Sequence, residues 1–278
     1  MPGAQERVLR NRIGSIKNTK KITRAMELIA ATRVVKAQQR ANAARPYSEQ
    51  ITAVIENLAA GGASVQHPLL TEATEVTTKG IICIVSDRGL CGAYNTNVIR
   101  AAEREVQAAR AEGADYRLVL VGKKASDYFK FRGFKIHAEF TEMSDTPTYE
   151  DAREVAKCVR DLYDSGEADV VELAYTRFIS IGTQLLAVRR FLPLESVESV
   201  AQSGGGDAGA VADVEFEPGP EDVLTDLLPR YLEARLYAAM LDAAASEHAN
   251  RQRAMKSATD NADDDSGGSS DDDGTSGS

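Results

Sequence analysis

Residues 5–60 read QERVLRNRIGSIKNTKKITRAMELIAATRVVKAQQRANAARPYSEQITAVIENLAA, with one proline, Pro46, and one glycine, Gly14. The rest is rich in Ala, Arg, Lys, Gln, Glu and Leu, which favour the helix. Leu9, Ile13 and Ile16, then Ile22, Met26 and Ile29, recur at threes and fours with one longer step. That spacing predicts a helical stripe interrupted at Thr19 and Lys20. Beyond it, Ala30, Ala37, Ala41 and Ala44 offer small side chains for close packing. A helix over 5–59 would reach roughly 80 Å at ~1.5 Å per residue. A usual globular helix has about 11–12 residues. One this long must lie against a second long helix. Pro46 is expected to kink it, since proline removes a donor and clashes with the preceding turn. Gly61-Gly62 is the expected stop.

Working outward, residues 63–76 read as a connector, and then the period changes. Gly80–Ser86 (GIICIVS) is a short continuous apolar run, as in a buried strand. It leads into the glycine-punctuated loop Asp87-Arg88-Gly89-Leu90-Cys91-Gly92. Residues 95–112 look helical, with Asn95 or Thr96 as N-cap. Strands are expected at Tyr116–Val121, Phe134–Phe140, Asp169–Phe178 and Leu185–Leu194. Helices are expected at Lys123–Phe131 and Tyr149–Ser165, the latter capped by Thr148. Alternating strands and helices imply an α/β layer with a mostly parallel sheet.

Residues 201–219 form a small-residue loop ending in Pro218-Gly219. A second long helix then follows over 220–262, with Leu224, Leu227, Leu228, Tyr231, Leu232 and Leu236 early and alanines later. Residues 263–278 (DDDSGGSSDDDGTSGS) hold no apolar side chain, which predicts a disordered acidic tail. The expected division is a helix over 1–62, an α/β domain over 76–200, the 201–219 loop, a helix over 220–262 and the tail. Two long helices at opposite ends of the chain can pair only if the domain between them returns the chain to its start. An antiparallel pair is the simplest closure.

The chain has 278 residues, with 43% hydrophobic and 27% charged side chains. That is ordinary globular usage, not a disordered composition. No apolar run is long enough to span a bilayer, and the charged start predicts no export signal. Cys83, Cys91 and Cys158 lack C-x-x-C spacing, against a zinc site or a disulfide framework; their thiols are expected to stay reduced. Charge is polarised: residues 1–45 hold eleven basic side chains against Glu6 and Glu27, whereas 260–278 hold seven aspartates and no base. A basic end looks for an acidic partner.

Catalytic readings fit poorly. The Gly89–Gly92 loop is neither a dinucleotide fingerprint nor a P-loop. Asp87 and Arg88 are free to pair with each other instead of with a ligand. Cys91 would need a base in reach, and His67, His137 and His248 lie in a connector, a strand and the last helix. Phosphate binding at Val121-Gly122-Lys123-Lys124 competes with a plain strand end. A nucleic-acid role for the basic helix lacks aromatic platforms before Tyr47. No cofactor and no metal site is expected.

Three segments then become recognisable. Residues 10–38 (RNRIGSIKNTKKITRAMELIAATRVVKAQ), 86–99 (SDRGLCGAYNTNVI) and 245–262 (ASEHANRQRAMKSATDNA) resemble, in order, the signatures of the gamma subunit of bacterial F-type ATP synthases. The resemblance spans about residues 1–262. It implies an antiparallel coiled coil of the terminal helices flanking a Rossmann-like α/β domain. It further implies a non-catalytic central-stalk rotor, turned by a ring of c subunits, that drives the beta sites through different affinities. The implied partners are alpha, beta, epsilon and the c ring, with no nucleic acid. The implied place is the cytoplasmic face of the bacterial membrane, reached through the c ring. Lys20, Lys21, Arg24, Met26, Asp87, Arg88, Gly89, Leu90, Cys91, Gly92 and Arg251 match family positions expected to contact alpha and beta.

Two departures accompany the resemblance. The two-cysteine insert of chloroplast members is absent between Leu194 and Pro218. The family's C-terminal helix continues several turns past SATDNA, whereas here it is expected to give way at Asp263 to the acidic Gly/Ser tail. The upper N-terminal helix would then lack its coiled-coil partner. The alternative reading is a shortened, uncoupled gamma-like scaffold, and a nucleotide-dependent enzyme comes a distant third.

Overall fold

The computed structural model describes residues 2–60, 67–194 and 220–267. Helix α1 (Pro2–Ala60) is continuous and passes through Pro46. After a 3₁₀ turn at Pro68–Leu70 come β1 (Thr78–Ile84), α2 (Tyr94–Ala111), β2 (Asp115–Val121), α3 (Lys123–Phe131) and β3 (Ile136–Phe140). Then follow α4 (Tyr149–Asp164), β4 (Val170–Phe178), β5 (Gln184–Leu192) and α5 (Pro220–Gly267).

The sheet order is β3-β2-β1-β4-β5. Strands β1, β2, β3 and β4 are parallel, and β5 returns antiparallel along β4. Successive β1 residues feed opposite faces. Ile81, Cys83 and Val85 meet Val98 and Val106 of α2 and Phe129 of α3. Ile82 and Ile84 join the other core, with Val155 and Val159 of α4, Ile55 and Leu58 of α1, and Leu224 to Ala243 of α5. The second core therefore fastens the α/β domain to both long helices. Leu228, Leu232 and Leu236 are at most 1% exposed, and burying each contributes about 1.5–3 kcal/mol.

α1 and α5 run antiparallel. Thr23 and Thr259 share a hydroxyl–hydroxyl hydrogen bond of 2.8 Å, and Lys20 pairs with Asp263. From Ile13 to Leu58 a run of buried or half-buried α1 positions steps alternately three and four residues, through Ile16, Lys20, Thr23, Glu27, Ala30 and Val34. That is a seven-residue repeat, which imposes a left-handed supercoil.

The seam corrects the expected stripe. Ile13, Ile16 and the small residues Ala30 and Ala37 lie on it, but Ile22 and Ile29 are 61% and 53% exposed. Around 20–30 the seam uses Lys20, Thr23, Glu27 and Ala30, while the large apolar residues sit one position away and face outward. Two further expectations change. α2 begins one residue earlier than read, with Ala93 as N-cap and no side-chain cap; Asn95 is inside the helix, its carbonyl oxygen taken by the Ser86 N–H at 2.9 Å. Thr148, by contrast, caps α4 in a reciprocal pair with Asp151. α5 does not give way at Asp263 but continues to Gly267, and Lys20 offers one of the added aspartates a cation. Gly61-Gly62, the 201–219 loop and the tail from 268 onward lie outside the described residues. Among the described residues no helix is long and apolar enough to cross a membrane.

Candidate functional site at the junction of sheet and helices

The loop after β1 is built from its own polar groups. The Asp87 carboxylate accepts the Lys123 N–H at 2.9 Å and the Ser144 N–H at 3.1 Å, while the Asp87 N–H donates to the Ser144 hydroxyl at 2.9 Å. Asp87 therefore ties three loops together and does not pair with Arg88. It also occupies the first turn of α3, where a phosphate would otherwise sit. The Ser86 hydroxyl lies 2.8 Å from Asn95 Oδ1, and Asn95 Nδ2 donates to the Arg88 carbonyl and to Cys91 Sγ. Leu90 (φ 61) and Gly92 (φ 59) adopt the left-handed conformation. The turn thereby thrusts Leu90 outward, 62% exposed, and draws Cys91 in, 1% exposed.

From the other side, α5 inserts a run of buried polar side chains. Arg251 Nε and Nη2 each donate to the Gly89 carbonyl at 3.3 Å, and Arg251 pairs with Glu247 at 2.8 Å. Its Nη1 stands 3.4 Å from His248 Nδ1, and His248 Nε2 lies 3.1 Å from the Asp145 carbonyl oxygen. A guanidinium only donates. Nδ1 therefore accepts, and Nε2 carries the proton toward Asp145. Arg33 of α1 closes the chain on the Asp145 carboxylate, 2.7 Å to Oδ1. One network thus joins α1, the β1 loop, the β3–α4 loop and α5.

Burial sets the electrostatics. It pushes the Glu247 carboxyl up, with Arg251 and Ser144 pulling back. It holds His248 down against the raising pull of Asp145, with Arg251 and Arg33 adding to the lowering. It raises the Cys91 thiol and pushes Cys83 up to about 12. Both thiols stay protonated at neutral pH, which removes the nucleophile reading of Cys91. Asp145, Glu247 and His248 each place a possible metal-ligating atom within 4.8 Å of the others. The imidazole's single lone pair already faces Arg251, so these residues do not fit a nitrogen-ligated metal.

A model of the ATP synthase family matches residues 5–267. The ATP synthase gamma chain of Frankia casuarinae is 46% identical over 264 residues, covering 94% of this chain and 87% of that protein. The chain belongs to the ATP synthase gamma chain family. The gamma chain of Mycolicibacterium smegmatis is also 46% identical, over 272 residues, covering 93% and 87%. In fold, the chain resembles a chain of the Tetrahymena thermophila mitochondrial ATP synthase central stalk and c-ring structure, with a TM-score of 0.62 at 21% identity, covering 85% and 99%.

Among the positions expected from the gamma-chain resemblance, Met26, Arg88, Gly89, Leu90 and Arg251 line one cavity of about 310 Å³. Lys20, Lys21 and Arg24 lie outside it on α1. Lys20 is held by Asp263 and Arg24 by Glu27 at 2.9 Å, while Lys21 is exposed. Asp87 and Cys91 face inward; Arg88, Leu90 and Gly92 face solvent. Sequence reasoning missed Arg33, Asp145, Glu247 and His248. The available signal was a Glu and an Arg four apart in an alanine-rich stretch, at helical pairing distance.

Proposed function

We propose that this chain is the central rotor of a proton-translocating F-type ATP synthase. It couples rotation of a c ring to ATP synthesis and hydrolysis at beta-subunit sites and is itself non-catalytic. Alpha, beta, epsilon and the c ring are its partners, and the c ring holds it at the cytoplasmic face of the membrane. The observation that carries this reading is the junction: a long supercoiled helical pair clasped to an α/β domain by a buried charge network, in a chain with gamma-chain identity over most of its length. A twisting element must not turn independently of the domain that drives it.

The contacting surface in this reading is the basic, outward face of α1 with the Arg88–Leu90 turn, against an acidic loop of beta. Exposed Ile22, Leu28, Ile29 and Val35 supply the apolar bearing. Ion pairs on such a surface contribute only about 0–1 kcal/mol each, which permits release at every step. The end of the chain differs in composition from the family's C-terminal helix, since from Asp263 onward it holds only Asp, Gly, Ser and Thr.

The test is co-expression with cognate alpha and beta and reconstitution with the membrane sector. A complex of one copy with three alpha and three beta, hydrolysing ATP, is expected. The double variant Arg24→Glu, Arg88→Glu is expected to slow coupled synthesis severalfold. Unchanged synthesis and hydrolysis would remove these residues from the contact.

A further inference from the structure

The hairpin that joins β4 to β5 meets α5 at the same turn that carries the Arg251 clasp. Its tip has little apolar anchorage: Ile179, Ile181, Leu185 and Leu186 are 42–52% exposed. The turn closes on itself, with the Ile179 and Ser180 N–H groups donating to the Thr183 carbonyl at 3.2 and 3.0 Å. What joins it to the helix is Gln184, the first residue of β5. A side-chain amide has two N–H donors and a carbonyl with two lone pairs, and Gln184 uses all four. Nε2 donates to the Ser180 carbonyl at 2.7 Å and to the Ile181 carbonyl at 2.8 Å. Oε1 accepts from Asn250 Nδ2 at 3.3 Å and from the Arg253 guanidinium. One turn back on α5, buried Ser246 donates its hydroxyl to the Thr176 carbonyl of β4 at 3.2 Å, and its own carbonyl accepts from Asn250 at 2.8 Å. Farther along, α5 meets α1, at Thr259 with Thr23 and at Asp263 with Lys20. Gln184 thus stands where the helical pair leaves the domain.

An α-helix advances ~100° per residue, so Arg251 and Arg253, two positions apart, point nearly opposite ways around α5. Arg251 is held by the Gly89 carbonyl on the β1 loop. Arg253 is held by Gln184 on the hairpin. A cylinder touched on one side rolls in its seat, whereas one gripped on opposed sides turns with whatever holds it. We infer that Gln184 is a positioning residue for rotation, the second jaw of a two-sided grip through which a torque on the α/β domain turns α5 with it. The inference rests on the rotor reading of this chain.

The test uses the full chain in complex with alpha and beta, joined to the membrane sector. Gln184→Ala is expected to lower proton-driven ATP synthesis severalfold, while hydrolysis by the complex detached from the membrane keeps its rate, because hydrolysis there turns the shaft without loading the domain. Arg253→Ala, which leaves the hairpin turn intact and opens the jaw from the helix side, is expected to reproduce the loss. Gln184→Glu, whose carboxylate still accepts from Asn250 and Arg253, is expected to recover most of the synthesis. In the full chain alone, amide exchange in residues 179–185 is expected to quicken about tenfold in Gln184→Ala, as for one lost hydrogen bond to a charged group. An unsubstituted chain that neither assembles with alpha and beta nor supports synthesis would remove the rotor reading and this inference with it. An unsubstituted chain that couples, with Arg253→Ala and Gln184→Ala synthesising at its rate, would leave the rotor reading standing and overturn the second jaw. Synthesis and hydrolysis falling together in both variants would also overturn it, marking Gln184 as a support of the fold alone.

Discussion

Gly122 sits where no other residue fits. Its φ is 103, and a Cβ there would stand 2.2 Å from the Val85 carbonyl oxygen. Both objections act together, since a side chain strains the backbone and strikes main-chain atoms of the β1 loop. Gly122→Ala is expected to destabilise the chain by about 3 kcal/mol or more, seen as a fall in the urea midpoint. Asp242 offers a second residue-scale test. Burial on α5 pushes its carboxyl up to about 6, against the pull of Arg177, of a hydrogen bond from the Phe178 backbone, and of Arg189 and Arg45. The folded value lies above the ordinary 3.8, so the folded state binds the proton more tightly. This contribution to stability is complete below about pH 4 and is lost as the pH rises through 6. Asp242→Asn should flatten that part of the stability profile and raise stability at pH 7 by up to about 3 kcal/mol. Melting curves from pH 4 to 8 that run parallel in both proteins would refute it.

The long helices show where sequence is legible and where it is not. The sheet could be read because the buried parts of β1 and β2 show as short apolar runs, Ile81–Val85 and Leu118–Val121, while β4 (VVELAYTRF) shows strand-like alternation. The existence of α1 and α5 was legible from composition and the lack of breakers. The register of α1 was not. Between 20 and 30 the seam is made of Lys20, Thr23, Glu27 and Ala30, and a search for large apolar residues lands one position off. Two substitutions separate these registers. Ile29→Ser, on the exposed side, is expected to change stability by no more than about 0.5 kcal/mol. Ala30→Leu, in the seam at 1% exposure, is expected to cost about 1–3 kcal/mol by overpacking. The reverse order in thermal melts would mean that Ile29 is the packed position. The site was legible only in part for a related reason. Arg251 and the 87–92 loop carry local signatures, whereas Arg33 and Asp145 stand 112 residues apart in sequence, and only the folded topology brings them together.

At the scale of the whole molecule, the network from Arg33 to Gly89 is a hinge pin. Its polar members are buried or half-buried, so removing one strands the next. Arg33→Ala leaves Asp145 facing His248 without its guanidinium. Amide hydrogen exchange is expected to quicken in residues 141–148 and 86–92 by about tenfold, the equivalent of ~1.4 kcal/mol. The β1, β2 and β4 amides, held by the apolar cores, should keep their protection. Uniformly faster exchange would mean the network supports the entire domain and does not govern the junction alone.

The seven-residue repeat has one more consequence. An ideal helix drifts ~20° per heptad from such a repeat, so between Ile13 and Leu58 the pair winds through roughly a third of a turn. The outward apolar side chains at Ile22 and Ile29, and at Leu28 and Val35, are also seven apart, and so they wind with it. To a close-fitting collar, this surface is the thread of a left-handed screw. Turning a screw in a fixed nut drives it along its axis. A collar that grips this pair while it turns therefore generates axial thrust whose direction reverses with the sense of rotation, and whatever anchors the α/β domain must resist push and pull as well as torque.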